Sequence, residues 1–339
     1  MSLPSWCAKR PQAIKRIRVC PLSQHKAPLG LPSGSKVVPR KPMCLSSLCM
    51  AKGIFCAMPL QKCVWQSWNE ESMFHLNSLL SEAPSVIADD LNAYYDAFAE
   101  HHHLLFRDWR ATVQRESAAL RRLLRNRGVK NVLDASGKAG MHAAALALQQ
   151  LEVTAICPTQ PMLLCARENA AAFNVQDDIT FVRADLPTLT DSITGTFDAA
   201  LLKGDTLTNF ITDEALHAVL GNLHSLLRPE GTLVMSIPDF DLLLEDRPRF
   251  VPRHMHDDQP DGRAILFDVY DWQNTDPLTV LHSTFVVSGK GDSYTAKRFG
   301  VLQRALRRAE LEALLNAAGF TEICAECGGW ELHITARRA

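Results

Sequence analysis

The part of the chain that begins near Asp89 is predicted to be an α/β domain built on a mainly parallel sheet. Short runs of β-branched or aliphatic residues alternate there with longer stretches that have helical apolar spacing. Such alternation is typical of a sheet with helices on both faces. After Pro238 the pattern changes to strand-like runs joined by polar turns, which predicts a small antiparallel insertion.

The composition supports a globular domain and argues against two classes of partner. The chain has 339 residues, of which 47% are hydrophobic and 22% charged, as is ordinary for folded proteins. No apolar run approaches the ~20 residues that cross a bilayer, so we expect no membrane partner. Residues 1–69 hold eleven Lys or Arg and no acid, so the net charge of −1 leaves −12 for the remainder. This acidic remainder argues against nucleic acid as the ligand.

The basic extension, residues 1–72, is predicted to lie outside the domain, which we expect to span 84–339. It is acid-free through residue 69 and rich in Pro, Ser, Lys and Arg. Three interpretations stay open: a disordered segment or one that precedes a later start at Met58 or Met73, an organelle transit peptide, or a small zinc module.

Cysteine usage indicates the compartment. Six of the ten cysteines lie in the extension, and the four that remain are too few for a disulfide scaffold. We therefore expect an intracellular protein, cytoplasmic, or organellar if the extension is a transit peptide.

The order of the predicted elements is that of a seven-stranded sheet with a cap. Asp89 or Asp90 is expected to cap a helix that continues through Trp109, and a second helix is expected to end near Gly128. Seven strands are predicted at 131–134, 153–156, 179–182, 197–202, 231–237, 322–326 and 331–336. A late helix, 308–318, precedes the last two strands. Residues 238–302 are expected to form the cap over the carboxyl ends of the strands, where such sheets bind ligands.

Six sequence pieces occur in a characteristic order between Tyr94 and Ala339. They are YYDAFAEHHHLLFRDW, VLDASGKAG, FVRAD, FDAALLKGDTL, LLRPEGTLVMSIPDFD and LEALLNAAGF. In these pieces the chain resembles the glycine/sarcosine N-methyltransferase group of class I methyltransferases. The resemblance implies the Rossmann-like class I methyltransferase fold, S-adenosylmethionine as the cofactor, and methyl transfer to a small-molecule acceptor such as an amine. In-line displacement on an activated sulfonium needs chiefly proximity and alignment, so few catalytic side chains are expected.

The first cofactor motif of that group follows the first strand. Asp134 and Gly140 match it, and Gly137 takes the place of a small residue. Glycines let the loop backbone approach the methionine part of the cofactor at a helix N-terminus. Lys138 stands where the group has its close-approach glycine, so a plain strand-to-helix turn remains the alternative.

The next two cofactor motifs differ in how well they match. The group has an acid after the second strand for the ribose hydroxyls, and Cys157 stands there. Cysteine is a poor acceptor, and losing a charge-assisted bond costs about 1.5–3 kcal/mol. Asp185 matches the acid that contacts the adenine amino group, and Leu186 is expected to pack on the ring. The alternative for Asp185 is a solvated helix cap.

The resemblance also assigns the methyl-transfer site. Gly204 and Asp205 follow the fourth strand, where the group forms the floor below the methyl group. Asp205 is predicted to hold a substrate amine, or else lies in a plain loop. Tyr95, or its neighbour Tyr94, is expected to line the same site. Arg115 is a candidate for binding the cofactor carboxylate.

Some residues support an alternative to catalysis. Relatives that bind an amino-acid carboxylate often have Arg where this chain has Pro238, which cannot make a bidentate contact. Together with Lys138 and Cys157, Pro238 places the departures at functional positions while the scaffold pattern is intact. The alternative hypothesis is therefore a catalytically inactive methyltransferase-like protein that acts as a binding or regulatory partner.

No metal site is expected. The run His101-His102-His103 does not converge on one side of a helix, so it predicts a helix face or a pocket lining. Cys324 and Cys327 lie three apart on a predicted strand, where side chains alternate between faces. These sequence patterns predict no particular oligomeric state.

Overall fold

The computed structural model describes residues 85–87, 90–125, 127–260 and 262–339. All of them belong to one compact unit of the chain, residues 68–339. The predictions made for residues 1–72 lie outside the described residues, and the domain limits stay predictions. Within the described ranges, every helix is too short or too polar to span a bilayer.

The described elements alternate along the chain as predicted. The helices are α1 Leu91–Phe98, α2 Trp109–Leu124, α3 Met141–Ala147, α4 Gln160–Ala171, α5 Asp213–Leu226, α6 Phe240–Asp246 and α7 Arg308–Ala317. The strands are β1 Ser85–Ile87, β2 Asn131–Asp134, β3 Glu152–Cys157, β4 Ile179–Arg183, β5 Phe197–Leu202, β6 Leu227–Pro238, β7 Phe250–Gln259, β8 Gly262–Gln273, β9 Thr279–Lys290, β10 Ser293–Arg304, β11 Phe320–Gly328 and β12 Glu331–Arg338. Short 3₁₀ segments occupy Ala99–Leu105, Gln176–Asp178, Leu186–Asp191 and Leu207–Asn209.

The larger sheet has seven strands in the order β11-β12-β6-β5-β2-β3-β4. The strands β2 to β6 pair in parallel, and β12 and β11 close the sheet in antiparallel fashion. The predicted fold is therefore confirmed. Strand β2 pairs with β3 on one side and with β5 on the other, so the order reverses at β2. Open α/β sheets bind ligands at the carboxyl ends of the strands beside such a reversal.

The sheet is buried on both faces. Val132 and Leu133 are consecutive residues of β2, and both have no exposed surface. Since neighbouring side chains of a strand point to opposite faces, Val132 packs in the core beside α2 and α3, whereas Leu133 packs beside α5 and α7. This double burial explains why the central strands are short continuous apolar runs.

The cap is a second sheet in the order β1-β10-β9-β8-β7. Strands β7 to β10 are antiparallel, and β1 runs parallel to β10. The strand-like runs expected after Pro238 correspond to β8, β9 and β10. Helix α6 and strand β7 were not predicted. Strand β7 is an edge strand with several exposed polar residues, so it lacks the apolar alternation that identifies a strand.

The prediction of one helix from Asp90 through Trp109 is wrong. The Asp90 side chain caps α1 by accepting a hydrogen bond from Asn92 N at 3.0 Å, but α1 ends at Phe98. The 3₁₀ segment Ala99–Leu105 follows, and α2 starts afresh at Trp109. Asp108 caps this second start, since its Oδ1 accepts from Ala111 N at 2.9 Å. Two caps eighteen residues apart therefore separate the two helices.

Candidate active site

Two neighbouring clefts open at the carboxyl ends of the central strands. The first cleft has a volume of about 330 Å³ and is mostly apolar. It is lined by Leu91, Asn92, Tyr95, Gly137, Ile156, Pro158, Ala184, Asp185, Leu186, Pro187, Thr188, Thr206 and Phe210. Four predicted site residues therefore share one cleft: Tyr95, Gly137, Asp185 and Leu186.

The loop after β2 is shaped by a hydrogen bond from its own backbone and by two glycines. Oδ1 of the buried Asp134 accepts from Ser136 N at 3.1 Å, and burial raises the pKa of this carboxyl. Gly137 and Gly140 have φ angles of 68° and 77°, which favour glycine. A Cβ at Gly140 would lie 2.9 Å from the Cβ of Ala166, so this glycine also lets α4 pack closely.

Lys138 follows Gly137 in this loop, and its backbone is not in the left-handed conformation. Its φ is not positive, so the turn needs no glycine there. Its Nζ forms an ion pair with Asp205 Oδ1, and each side chain is 22% exposed. Burial alone would raise the pKa of Asp205, but the Lys138 ammonium outweighs burial and holds that pKa well below its usual range. Gln303 Nε2 donates to the other oxygen of Asp205 at 3.1 Å.

The Lys138–Asp205 pair lies at the boundary between the two clefts. Gly137 and Thr206 line the first cleft, while their chain neighbours Lys138 and Asp205 line the second. A ligand that extends from one cleft to the other must therefore pass beside this ion pair.

Cys157 ends β3 and is packed into the core. It is 1% exposed, and its Sγ lies 3.9 Å from the carbonyl oxygen of Lys138. Burial, with a smaller contribution from Asp134, raises the pKa of this thiol to about 12. Its neighbours Ile156 and Pro158, rather than Cys157, line the first cleft. The thiol is thus protonated and offers no charged acceptor at the predicted ribose position.

The remaining predicted residues fall into three places. Asp185 is exposed at the first cleft, and Leu186 is buried beside it. Tyr95 is buried, and its hydroxyl accepts from Asn209 Nδ2 at 3.1 Å. Gly204 lines the second cleft, and its N donates to Ser236 Oγ at 2.9 Å.

Arg115 lines neither cleft, although its hydrogen-bond partner Thr112 lines the second. It is exposed on α2, where its Nη2 donates to Thr112 Oγ1 at 2.8 Å. The structure does not bring Arg115 together with the other predicted site residues, and its role in binding the cofactor carboxylate stays a prediction.

The second cleft lies between the parallel sheet and the cap and has a volume of about 270 Å³. It is lined by His102, Leu105, Phe106, Thr112, Glu116, Lys138, Met141, His142, Lys203, Gly204, Asp205, Ser236, Pro238, Arg253, Tyr270, His282, Gln303 and Glu331. Most of its charged residues were not predicted from the sequence. Among the charged residues of this lining that were not predicted, Lys203 directly follows β5 and lies in the piece FDAALLKGDTL, so that motif could have identified it.

One side of the second cleft carries an ion pair between α2 and the end of β5. Lys203 Nζ lies 2.6 Å from Glu116 Oε2, with side-chain exposures of 11% and 26%. His142 Nε2 lies 3.9 Å from the same oxygen. Burial lowers the pKa of His142 well below its usual value, so this imidazole is neutral beside the pair.

The cap side of the second cleft carries a fixed guanidinium. Arg253 Nε donates to Asp268, a fully buried carboxylate of β8. Asp268 also accepts from Thr284 Oγ1 at 2.9 Å, and His282 Nε2 lies 3.2 Å from its second oxygen. Burial would lower the pKa of Arg253, but Asp268, together with Tyr270 and Asp205, outweighs burial and the pKa is raised. Arg253 is therefore a permanent positive charge on this wall.

His102 explains the His101-His102-His103 motif as pocket lining. It is 3% exposed, lines the second cleft, and neither of its ring nitrogens has a hydrogen-bond partner among the described residues. Burial lowers its pKa to about 3, so the ring is neutral. Over the described ranges, no group of three or more His, Cys, Asp or Glu residues is arranged to hold a metal.

The central part of this site lies in a segment that resembles known proteins. Residues 132–231 match the family described as "Methyltransferase domain". That segment contains every predicted site residue except Tyr95 and Arg115. The chain is similar to a glycine/sarcosine N-methyltransferase from Aphanothece halophytica, with 29% identity over 156 residues, 46% of this chain and 57% of the relative. A similar enzyme from Parasynechococcus marenigrum is 28% identical over 45% of this chain and 53% of its own length.

Solved structures support the same fold. The chain superimposes on the CcbJ methyltransferase from Streptomyces caelestis with a TM-score of 0.60, 20% identity, and coverage of 74% of this chain and 99% of that one. An S-adenosylmethionine-dependent methyltransferase from Clostridium acetobutylicum gives a TM-score of 0.57, with 15% identity and coverage of 72% and 99%. At such identities the likeness establishes the fold.

The comparisons confirm the resemblance that the sequence pieces predicted: residues 132–231 match a methyltransferase domain, and the fold is that of class I methyltransferases. The chain spans about half the length of the curated relatives that it matches.

Proposed function

From this methyltransferase domain we propose that the protein transfers the methyl group of S-adenosylmethionine to the amine of a small molecule that also carries a carboxylate. The observation that carries the proposal is the adjacency of the two clefts. Consecutive residues of the loop after β2 line the first and the second cleft, and so do consecutive residues after β5. A nucleoside in the first cleft therefore has its reactive end at the entrance of the second.

The first cleft fits the adenosine part of S-adenosylmethionine. Its lining is mainly apolar with few polar groups, as in most small-molecule sites. Leu186 offers an apolar surface for the adenine ring, and the Asp185 carboxylate can accept from the adenine amino group. Gly137 leaves the loop backbone uncovered for close approach. When bound, S-adenosylmethionine supplies a methyl group that its positive sulfur activates.

The second cleft fits an acceptor with an amine and a carboxylate. The curated relatives are described as glycine/sarcosine N-methyltransferases, and both compounds named there combine these groups. Pro238 lacks the guanidinium expected at its position, but Arg253 of the cap lines the same cleft. Because Asp268 fixes Arg253 in place, its planar N–H donors are preorganised for a carboxylate.

In this arrangement Asp205 holds the acceptor amine in the second cleft, and Tyr95 lines the first cleft on the other side of the boundary. The low pKa of Asp205 keeps it ionised, so it accepts hydrogen bonds from an amine. Burial raises the pKa of Tyr95 above its ordinary value, so its hydroxyl keeps its proton. Since that hydroxyl accepts from Asn209, its own proton is directed elsewhere. When bound, S-adenosylmethionine would supply the methyl group, and the amine held by Asp205 would have to be neutral to accept it.

The test uses the full chain, S-adenosylmethionine and two acceptors. Glycine carries the carboxylate and ethylamine does not, and both methylated amines are detected by mass spectrometry together with S-adenosylhomocysteine. We expect turnover with carboxylate-bearing amines and a much higher KM for ethylamine. Absence of methyl transfer to every amine tried would contradict the proposal.

Arg253 provides the discriminating variant. Arg253→Gln is expected to raise the KM for glycine by about tenfold to hundredfold, since it removes a charged hydrogen-bond donor, and to leave ethylamine turnover unchanged. Arg253→Lys keeps the charge and should show a smaller increase. Arg263→Gln is the matched control, because Arg263 is exposed on the neighbouring strand β8. Equal losses with both amines would assign Arg253 a purely structural role.

A further inference from the structure

The ion pair between Lys203 and Glu116 is placed where an extended cofactor would end. Lys203 directly follows β5, which pairs with β2, and β2 leads into the glycine loop. The backbone N of Lys203 donates to Ser136 Oγ of that loop at 3.1 Å. Thr206 Oγ1 donates to the carbonyl oxygen of Ser136 at 2.6 Å. The loop and the turn after β5 are therefore fastened together, and the pair keeps a fixed position beside the loop.

The surroundings of the pair are selective for charge. Glu116 and Arg115 are neighbours on helix α2. Glu116 lines the wall of the second cleft, whereas Arg115 is exposed to solvent. Lys203 has a side-chain exposure of only 11%. His142, beside Glu116, is neutral because burial lowers its pKa. The charges on this side of the cleft are therefore one ammonium and one carboxylate.

A partly buried ion pair is weak evidence for a contribution to stability, because removing two charges from water offsets most of their attraction. The same pair gains two further charge-assisted bonds if a zwitterion lies against it. The other two ion pairs of the second cleft, Lys138 with Asp205 and Arg253 with Asp268, lie on different walls from this pair. The Lys203–Glu116 pair is thus the complementary surface for an amino-acid group.

We infer that Lys203 binds the carboxylate, and Glu116 the ammonium, of the methionine part of S-adenosylmethionine. This inference rests on the proposed function, since it requires the adenosine part to lie in the first cleft. It assigns to α2 and to the turn after β5 a contact for which Arg115 was the candidate from the sequence. Both residues act on the part of the cofactor that does not react, so they determine affinity and placement.

The test compares two ligands that differ only in the amino-acid part. S-adenosylhomocysteine has adenosine, a thioether and the zwitterion, whereas 5′-methylthioadenosine has adenosine and a thioether alone. Binding of each to the full chain is measured by titration calorimetry for wild type, Lys203→Met and Glu116→Gln. We expect each variant to lose about tenfold to hundredfold in affinity for S-adenosylhomocysteine and to keep wild-type affinity for 5′-methylthioadenosine.

Two further variants separate binding from folding. Lys203→Arg keeps the charge and is expected to recover most of the affinity for S-adenosylhomocysteine. Lys130→Met removes an exposed lysine and serves as the matched control. Equal loss of affinity for both ligands would overturn the inference, because it would mean that the pair supports the fold. The inference would also be overturned if Lys203→Met and Glu116→Gln bound both ligands with wild-type affinity. If wild type binds neither ligand, the proposed function fails and the inference fails with it.

Discussion

Replacing Lys138 with Met is predicted to tighten the binding of S-adenosylmethionine. Lys138 and Asp205 form an ion pair at the boundary of the two clefts, where the sulfonium of the cofactor must lie if the cofactor spans both. The ammonium of Lys138 repels that sulfonium and occupies the carboxylate that would attract it. Removing the lysine leaves Asp205 to face the positive sulfur alone.

The size of the effect follows from the exposure of the pair. Each side chain is 22% exposed, which places the pair between exposed pairs of about 0.2–1 kcal/mol and buried pairs whose disruption costs about 3–5 kcal/mol. After discounting for solvent screening, we expect about 1–2 kcal/mol, which is a roughly fivefold to thirtyfold gain in affinity. S-adenosylhomocysteine has a neutral sulfur and should gain less.

Titration calorimetry with both ligands measures this difference directly. The ratio of the affinities for S-adenosylmethionine and S-adenosylhomocysteine should rise in Lys138→Met and fall in Asp205→Asn. Lys290→Met, at an exposed lysine of the cap, is the control and should leave the ratio unchanged. Weaker binding of both ligands by Lys138→Met would refute the reasoning, because Lys138 would then be a direct partner of the cofactor carboxylate.

Two more predictions concern single side chains. Asp185→Asn should weaken S-adenosylmethionine binding by about 1 kcal/mol, since one exposed charged acceptor is lost. Asp191→Asn, at another exposed aspartate, is the control. An unchanged Kd for Asp185→Asn would show that Asp185 does not contact the adenine. For His102, burial lowers the folded pKa to about 3, so the unfolded chain binds the additional proton as pH falls below its ordinary pKa of about 6.5. The contribution of neutral His102 to the free energy of unfolding is present above about pH 6.5 and is lost as the pH falls toward 3. Between about pH 7.5 and about pH 5 the loss amounts to about 2 kcal/mol. Urea unfolding should show a weaker pH dependence in His102→Phe than in wild type or in the exposed control His217→Gln; equal slopes would contradict the burial argument.

The scaffold was predictable because its signals are local. The strand β2 and the glycines 137 and 140 stand next to each other in the sequence, and their chemistry follows from residues a few positions apart. The apolar runs of the central strands are continuous because both faces are buried. The break between α1 and α2 was missed because helical spacing continues across the 3₁₀ segment, although Asp108 is a recognisable cap.

The second cleft could not be predicted in the same way. Glu116 pairs with Lys203 across 87 positions of the chain, and Arg253 shares the cleft with Asp205 because the cap folds back over the sheet. Arg253 lies in an edge strand whose exposed polar residues resemble a loop. Moreover, the charged side chain of α2 that lines the cleft is Glu116 rather than Arg115, a difference of one helical position that apolar spacing does not resolve.

Ligand-dependent unfolding of the full chain measures whether the folded protein binds S-adenosylmethionine, on which both proposals depend. A ligand that binds only the folded state at a hundred times its Kd raises the free energy of unfolding by about 2.7 kcal/mol. We expect S-adenosylmethionine and S-adenosylhomocysteine to give saturable increases that compete for one site, and ATP to give none. Unfolding curves that coincide with and without S-adenosylmethionine, up to concentrations in the millimolar range, would contradict the account.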